Sequence, residues 1–159
     1  MSAPPPYDFA NILFAGPCNR RCPWCIGERL PASVNRSNLD DFPPRGLPAF
    51  IEEVNRHGVR EIVLTGTVTD PQLYRHERAL LDLLRERLHP DARFSVHTNG
   101  ALALRKLDTF NAYDRACISL PSFSPSAVGE SARFHARSAA DARALLDRGG
   151  LTAVQRAEL

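Results

Sequence analysis

FANILFAGPCNRRCPWC, residues 9–25, joins a short apolar run to a loop rich in thiols. Residues 9–16 read as a β-strand, because the run is too short for a helix and is stopped by Gly16-Pro17. The loop follows at once. Cys18, Cys22 and Cys25 are separated by three and then two residues, with Trp24 directly before the last thiol. By themselves, three close thiols are compatible with a disulfide pair plus a spare. They also suit a zinc site completed by Cys117 or a histidine such as His97, or an iron–sulfur site left one ligand short.

The same pattern of apolar run and polar loop recurs downstream. After an irregular, proline-bearing crossing over residues 30–47, "PAFIEEVNRHG" (48–58) predicts a helix. Pro48 sits in its first turn, Phe50, Ile51 and Val54 form one stripe, and Gly58 ends it. "VREIVLTG" (59–66) predicts the second strand. A second helix is expected from about Asp70 to Leu88, with Leu73, Leu80, Leu81, Leu84 and Leu88 at helical spacing. "ARFSVHTNG" (92–100) gives a third strand, "ALRKLDTF" (103–110) a short helix, and "RACISLPSF" (115–123) a fourth strand. "SAADARALLDRGG" (138–150) gives a fourth helix. Strand and helix alternating four times predict an α/β fold: a parallel sheet covered by helices, curling into a partial (β/α) barrel of about four β/α units. Residues 1–8 read as a flexible lead-in, 9–148 as the β/α domain and 149–159 as a tail. The unusual residues all fall at the C-terminal ends of strands, the rim where α/β barrels carry their chemistry.

Composition narrows the classes of function. The chain has 159 residues, 43% of them hydrophobic and 24% charged, as in a globular domain. A net charge of +2 gives no electrostatic case for nucleic acid or a membrane surface. Lys106 is the only lysine among the basic residues, a bias to which composition assigns no function. The N-terminus lacks a basic and apolar leader, and no apolar run approaches a membrane span. A cytoplasmic location is therefore expected, where clustered thiols favour metal or redox chemistry over disulfides.

With these elements in place, C-x3-C-x2-C after the first strand of a β/α chain, with an aromatic before the third cysteine, resembles the cluster loop of the radical S-adenosylmethionine (SAM) family. The resemblance implies that Cys18, Cys22 and Cys25 ligate three irons of a 4Fe-4S cluster and that SAM chelates the fourth. It implies that Trp24 lies against the adenine of SAM. It further implies that an electron from the cluster cleaves SAM to methionine and a 5′-deoxyadenosyl radical, which abstracts hydrogen from a substrate. "LTGTVTDP" (64–71) stands where the family has a Gly-Gly-Glu-Pro loop holding the amino group of SAM. Gly66 and Thr67 are the candidate contacts, Thr67 replacing the second glycine. "HTNG" (97–100) and "ISLPS" (118–122) resemble the third- and fourth-strand segments, offering Thr98 and Ser119 to SAM. An electron donor such as ferredoxin or flavodoxin is implied as a partner.

Each residue also has a plainer reading. Trp24 could be a rim aromatic, Gly66 a simple turn, Asn99-Gly100 a common turn pair, and Ser119 a small barrel filler. Cys117 is most simply a strand cysteine, placed by alternation with Ser119 on the barrel-interior face. Arg20 and Arg21 could raise the potential of a cluster or only face solvent. Family domains have six β/α units where four are counted here, so the chain reads as a C-terminally shortened core. The alternative is therefore a non-catalytic remnant that binds an iron–sulfur group or zinc. The substrate is not legible.

Overall fold

The structure is a computed structural model and describes residues 7–119 apart from 21, 23 and 24. Strands β1 (Phe9–Phe14), β2 (Glu61–Gly66), β3 (Arg93–Thr98) and β4 (Arg115–Ile118) form one sheet in the order β1-β2-β3-β4. Every neighbouring pair is parallel. Helices α1 (Leu47–His57), α2 (Glu77–Arg87) and α3 (Leu107–Phe110) lie in the three connections. This is the expected open β/α sheet, a partial barrel. The fourth helix and the tail expected from sequence lie outside the described residues, as does Trp24.

Alternation along the strands sorts side chains onto two faces. Ile12, Phe14, Ile62, Leu64, Phe94 and Val96 are buried on one face, against Val54 of α1 and Leu80, Leu81 and Leu84 of α2. The opposite, barrel-interior face carries a row at one level. Leu13 stands beside Thr65, and His97 beside Cys117. Below it lies the row Asn11, Val63, Ser95 and Arg115. Cys117 and His97 are exposed on this face, as the alternation predicted for Cys117.

Two helix boundaries differ from the sequence expectation. The second helix begins at Glu77 rather than near Asp70. The Asp70 carboxylate accepts the Gln72 N–H at 2.9 Å and caps a single 3-10 turn, Pro71–Leu73, after which Tyr74 is extended. Local capping by an aspartate thus overrides the leucine periodicity. The third connection is mostly turns, and its helix is confined to Leu107–Phe110.

Within that connection, directly before α3, lies the chain's one lysine. Lys106 Nζ donates to the carbonyls of Gln72 and Tyr74 and to Glu77 Oε2. The Glu77 side chain is 2% exposed, and its other oxygen accepts the Tyr113 hydroxyl at 2.9 Å. An ammonium has three N–H groups directed tetrahedrally, and here three acceptors surround it. A planar guanidinium does not fit that arrangement, which explains a lysine in a chain otherwise built with arginine.

Candidate functional site

The ends of β1, β2 and β3 deliver three loops to one rim, and hydrogen bonds fasten them together. Thr69 Oγ1 donates to the Pro17 carbonyl at 2.7 Å, joining the β2 loop to the start of the cysteine loop. Asn99 Nδ2 donates to Asn19 Oδ1 at 2.9 Å, and Arg20 Nη2 donates to the Asn99 carbonyl at 3.1 Å. Asn99 in turn donates its own N–H to Asp70 at 2.6 Å. One asparagine after β3 therefore holds residues on both other loops.

Asp70 is the hub beneath this rim. It is 3% exposed and accepts the Thr98 hydroxyl as well as the N–H groups of Gln72 and Asn99. Burial pushes its carboxyl up, while those hydrogen bonds and the Arg20 charge pull it back. The buried chain of polar contacts continues through Gln72 to Lys106 and Glu77. It thus runs from the helix-side core to the cysteine loop.

Two glycines permit the close approach of the loops. A Cβ on Gly66 would fall on the Thr69 carbonyl, because the chain doubles back over residues 66–69. Gly27 lies in the 3-10 turn Ile26–Arg29 directly after Cys25, and a Cβ there would strike the Thr67–Val68 backbone. Gly27 therefore lets the far arm of the cysteine loop rest on the β2 loop.

None of the three thiols is in a disulfide; Cys18 is exposed and Cys22 and Cys25 are half-buried. A turn bond from Cys25 N to the Cys22 carbonyl, 2.9 Å, shapes the second half of the loop. Although the residue is exposed, partial desolvation of the sulfur pushes the Cys18 thiol up, and Asp70, Cys22 and Cys25 push it in the same direction by charge. A backbone hydrogen bond from Arg20 opposes them. Arg20 in turn lies within electrostatic range of Cys22, Cys18 and Asp70. The donor chemistry suits an iron–sulfur cluster: three soft sulfurs in one loop, unpaired with one another, beside a guanidinium that offsets thiolate charge. Among the described residues no three Cys, His, Asp or Glu side chains converge as a ready-made ligand set.

The other candidates take distinct positions. Gly66 and Thr67 are on the rim, but the Thr67 N–H and hydroxyl both donate to the Phe14 carbonyl, at 2.9 and 3.2 Å. Thr98 is 2% exposed and on the helix side of the sheet, with its hydroxyl committed to the buried Asp70 and Gln72. Ser119 is exposed at the end of β4, its N–H donating to the Thr98 carbonyl at 2.8 Å. His97 and Cys117 stand side by side on the barrel-interior face, away from the three-cysteine loop in sequence. Sequence reasoning missed Asn19, Asn99 and Gly27 as organising residues. The only signal for Asn99 was a turn dipeptide, and for Gly27 its position two residues after the last thiol.

An open parallel sheet with three thiols at the C-terminal end of its first strand defines a β/α protein with a cysteine-bearing rim. The model of the radical SAM superfamily matches residues 12–147, a span that includes the cysteine loop and the ends of all four strands. The chain belongs to that superfamily. No curated protein matches the chain closely enough to lend it a particular activity.

Proposed function

We propose that the protein is a radical SAM enzyme in which Cys18, Cys22 and Cys25 hold a 4Fe-4S cluster and the loop rim holds SAM. The single observation that carries this reading is the location of three thiols, none of them in a disulfide, on a loop fastened to the β2 and β3 loops through Asn99 and Thr69. When bound and reduced, the cluster supplies the electron that cleaves SAM and yields a radical able to take hydrogen from a substrate. The chain's own residues bind and orient. The cysteine loop would close on the cluster as it binds, since metal sites are seldom fully formed beforehand. Arg20 would offset the negative charge of the thiolates.

SAM's amino group needs an acceptor. Thr67 has its N–H and hydroxyl on Phe14, so its carbonyl is the group it would offer. Gly66 makes the turn that presents it. Trp24 would supply a flat face for the adenine. Ser119, on the open side of the rim, would reach SAM, whereas Thr98 would serve through Asp70 by fixing the β3 loop. Such chemistry calls for a reducing compartment, consistent with a cytoplasmic location, and for a one-electron donor such as ferredoxin or flavodoxin. No helix among the described residues is long and apolar enough to cross a membrane.

The test is anaerobic reconstitution with iron and sulfide, followed by SAM and dithionite. A cluster absorption band, lost in Cys22→Ala, together with release of 5′-deoxyadenosine, is the expected result. One zinc per chain without sulfide would overturn the reading. A cluster without SAM cleavage would leave a metal-binding protein in place of an enzyme.

A further inference from the structure

Beside the rim, a cleft of about 540 Å³ opens between the end of β1 and the crossing that leads to α1. Leu13, Ala15, Ser33, Val34, Arg36, Asn38, Arg45 and Thr67 line it. Its apolar walls are unusually bare for such side chains, Leu13 being 53% and Val34 52% exposed. The lining contains two guanidinium groups and no carboxylate. Arg45 reaches Asp41 only at 3.9 Å, with both side chains solvated, a contact worth little. Among the described residues Arg36 has no hydrogen-bond or ion-pair partner.

The wall that carries both arginines is built onto the sheet. Asn38 donates to the Leu13 carbonyl at 3.0 Å and accepts the Ala15 N–H at 2.9 Å, so its amide pairs with the free edge of β1. Further along, the Tyr74 hydroxyl donates to the Asp41 carbonyl at 2.7 Å, and Arg75 N–H donates to the Leu39 carbonyl at 3.1 Å. Thr67 belongs both to this cleft and to the loop proposed to hold SAM.

We infer that this cleft binds the anionic end of the substrate, a carboxylate or phosphate, through Arg36 and Arg45, with the substrate's apolar part on Leu13 and Val34. Guanidinium groups match either oxyanion with paired hydrogen bonds, and apolar walls suit an organic remainder. The assignment as a substrate subsite rests on the radical SAM reading. Thr67 would then separate the two ligands, placing the substrate beside SAM.

The experiment uses the full chain after cluster reconstitution and titrates phenyl phosphate, phenylacetate and neutral benzyl alcohol by calorimetry, with SAM binding measured on the same samples. The anions should bind, the alcohol should not, and the tighter anion identifies the chemical source. Arg36→Ala and Arg45→Ala should each weaken anion binding about tenfold or more, with SAM affinity unchanged. Both side chains are exposed, so the variants should melt like the wild type. Equal binding of the alcohol, no anion binding by the wild type, unchanged anion binding in the double variant, or a parallel loss of SAM affinity would each overturn the inference. If the cluster fails to form while the arginine-dependent anion binding persists, the radical SAM reading fails and the anion site stands.

Discussion

Thr98 donates its hydroxyl to the Asp70 carboxylate at 2.8 Å, buried on the helix side of the sheet. The Asp70 carboxylate is thus turned inward to the β3 loop. Cutting this contact should loosen the rim from beneath. Asp70→Ala leaves the N–H groups of Gln72 and Asn99 without their acceptor and the Thr98 hydroxyl with Gln72 Oε1 alone. Each buried group left unsatisfied costs about 1–3 kcal/mol. Urea denaturation should show a loss of at least that size, and reconstitution should give less cluster per chain. Thr98→Val, which keeps the shape and the Asp70 bonds to the Gln72 and Asn99 N–H groups and takes the acceptor from the Gly100 N–H alone, should lose less of both.

The Lys106 site supplies a second prediction. Lys106→Met strands Glu77 in the core and should cost about 3–5 kcal/mol, the usual penalty for breaking a buried pair. Lys106→Arg should not restore the loss, because a planar fork cannot meet acceptors placed around an ammonium. Thermal or urea unfolding of the three proteins checks both statements.

The same carboxyl gives a pH dependence. Burial holds Glu77 above its ordinary value, against the pull of Lys106 and Tyr113. The folded state therefore binds this proton more tightly than the unfolded chain does. The associated stability is fully present below the ordinary glutamate value, about pH 4.3, and is lost as pH rises through the folded value. The stability cost of Glu77→Gln should accordingly be largest at acid pH and shrink as pH rises. A cost that grows with pH would contradict the burial argument.

Much of this was legible in the sequence because it depends on local pattern. Ile12, Phe14, Ile62, Leu64, Phe94 and Val96 read as strand core and are buried, and the cysteine loop follows β1 as its spacing implied. Contacts between loops were not legible. Asn99 looked like a turn former, yet it meets Asn19 eighty positions away. Nothing in "HTNG" showed that strand parity turns the Thr98 hydroxyl toward Asp70, because that partner comes from another loop. The helix start was misread because leucine spacing carries no record of the Asp70 cap. The single lysine was discounted because composition says nothing about three acceptors converging on one atom.

The glycines at the rim provide the last prediction, which separates loop packing from ligation. Gly27→Ala adds one methyl where the Thr67–Val68 backbone already lies, so the arm after Cys25 must lift off the β2 loop. None of the three thiols is removed. Reconstitution should still give a cluster band, but SAM affinity should fall, because the displaced arm moves the Gly66–Thr67 turn. Gly66→Ala disturbs that turn directly, its methyl colliding with the Thr69 carbonyl, and should weaken SAM binding more strongly. Cys117→Ala, on the barrel-interior face away from this packing, should leave both cluster content and SAM affinity intact. Equilibrium dialysis with labelled SAM against measured iron and sulfide content distinguishes these outcomes. Full SAM affinity in Gly27→Ala would mean that the cysteine and β2 loops act independently, and the interlocked rim would then have no bearing on SAM binding.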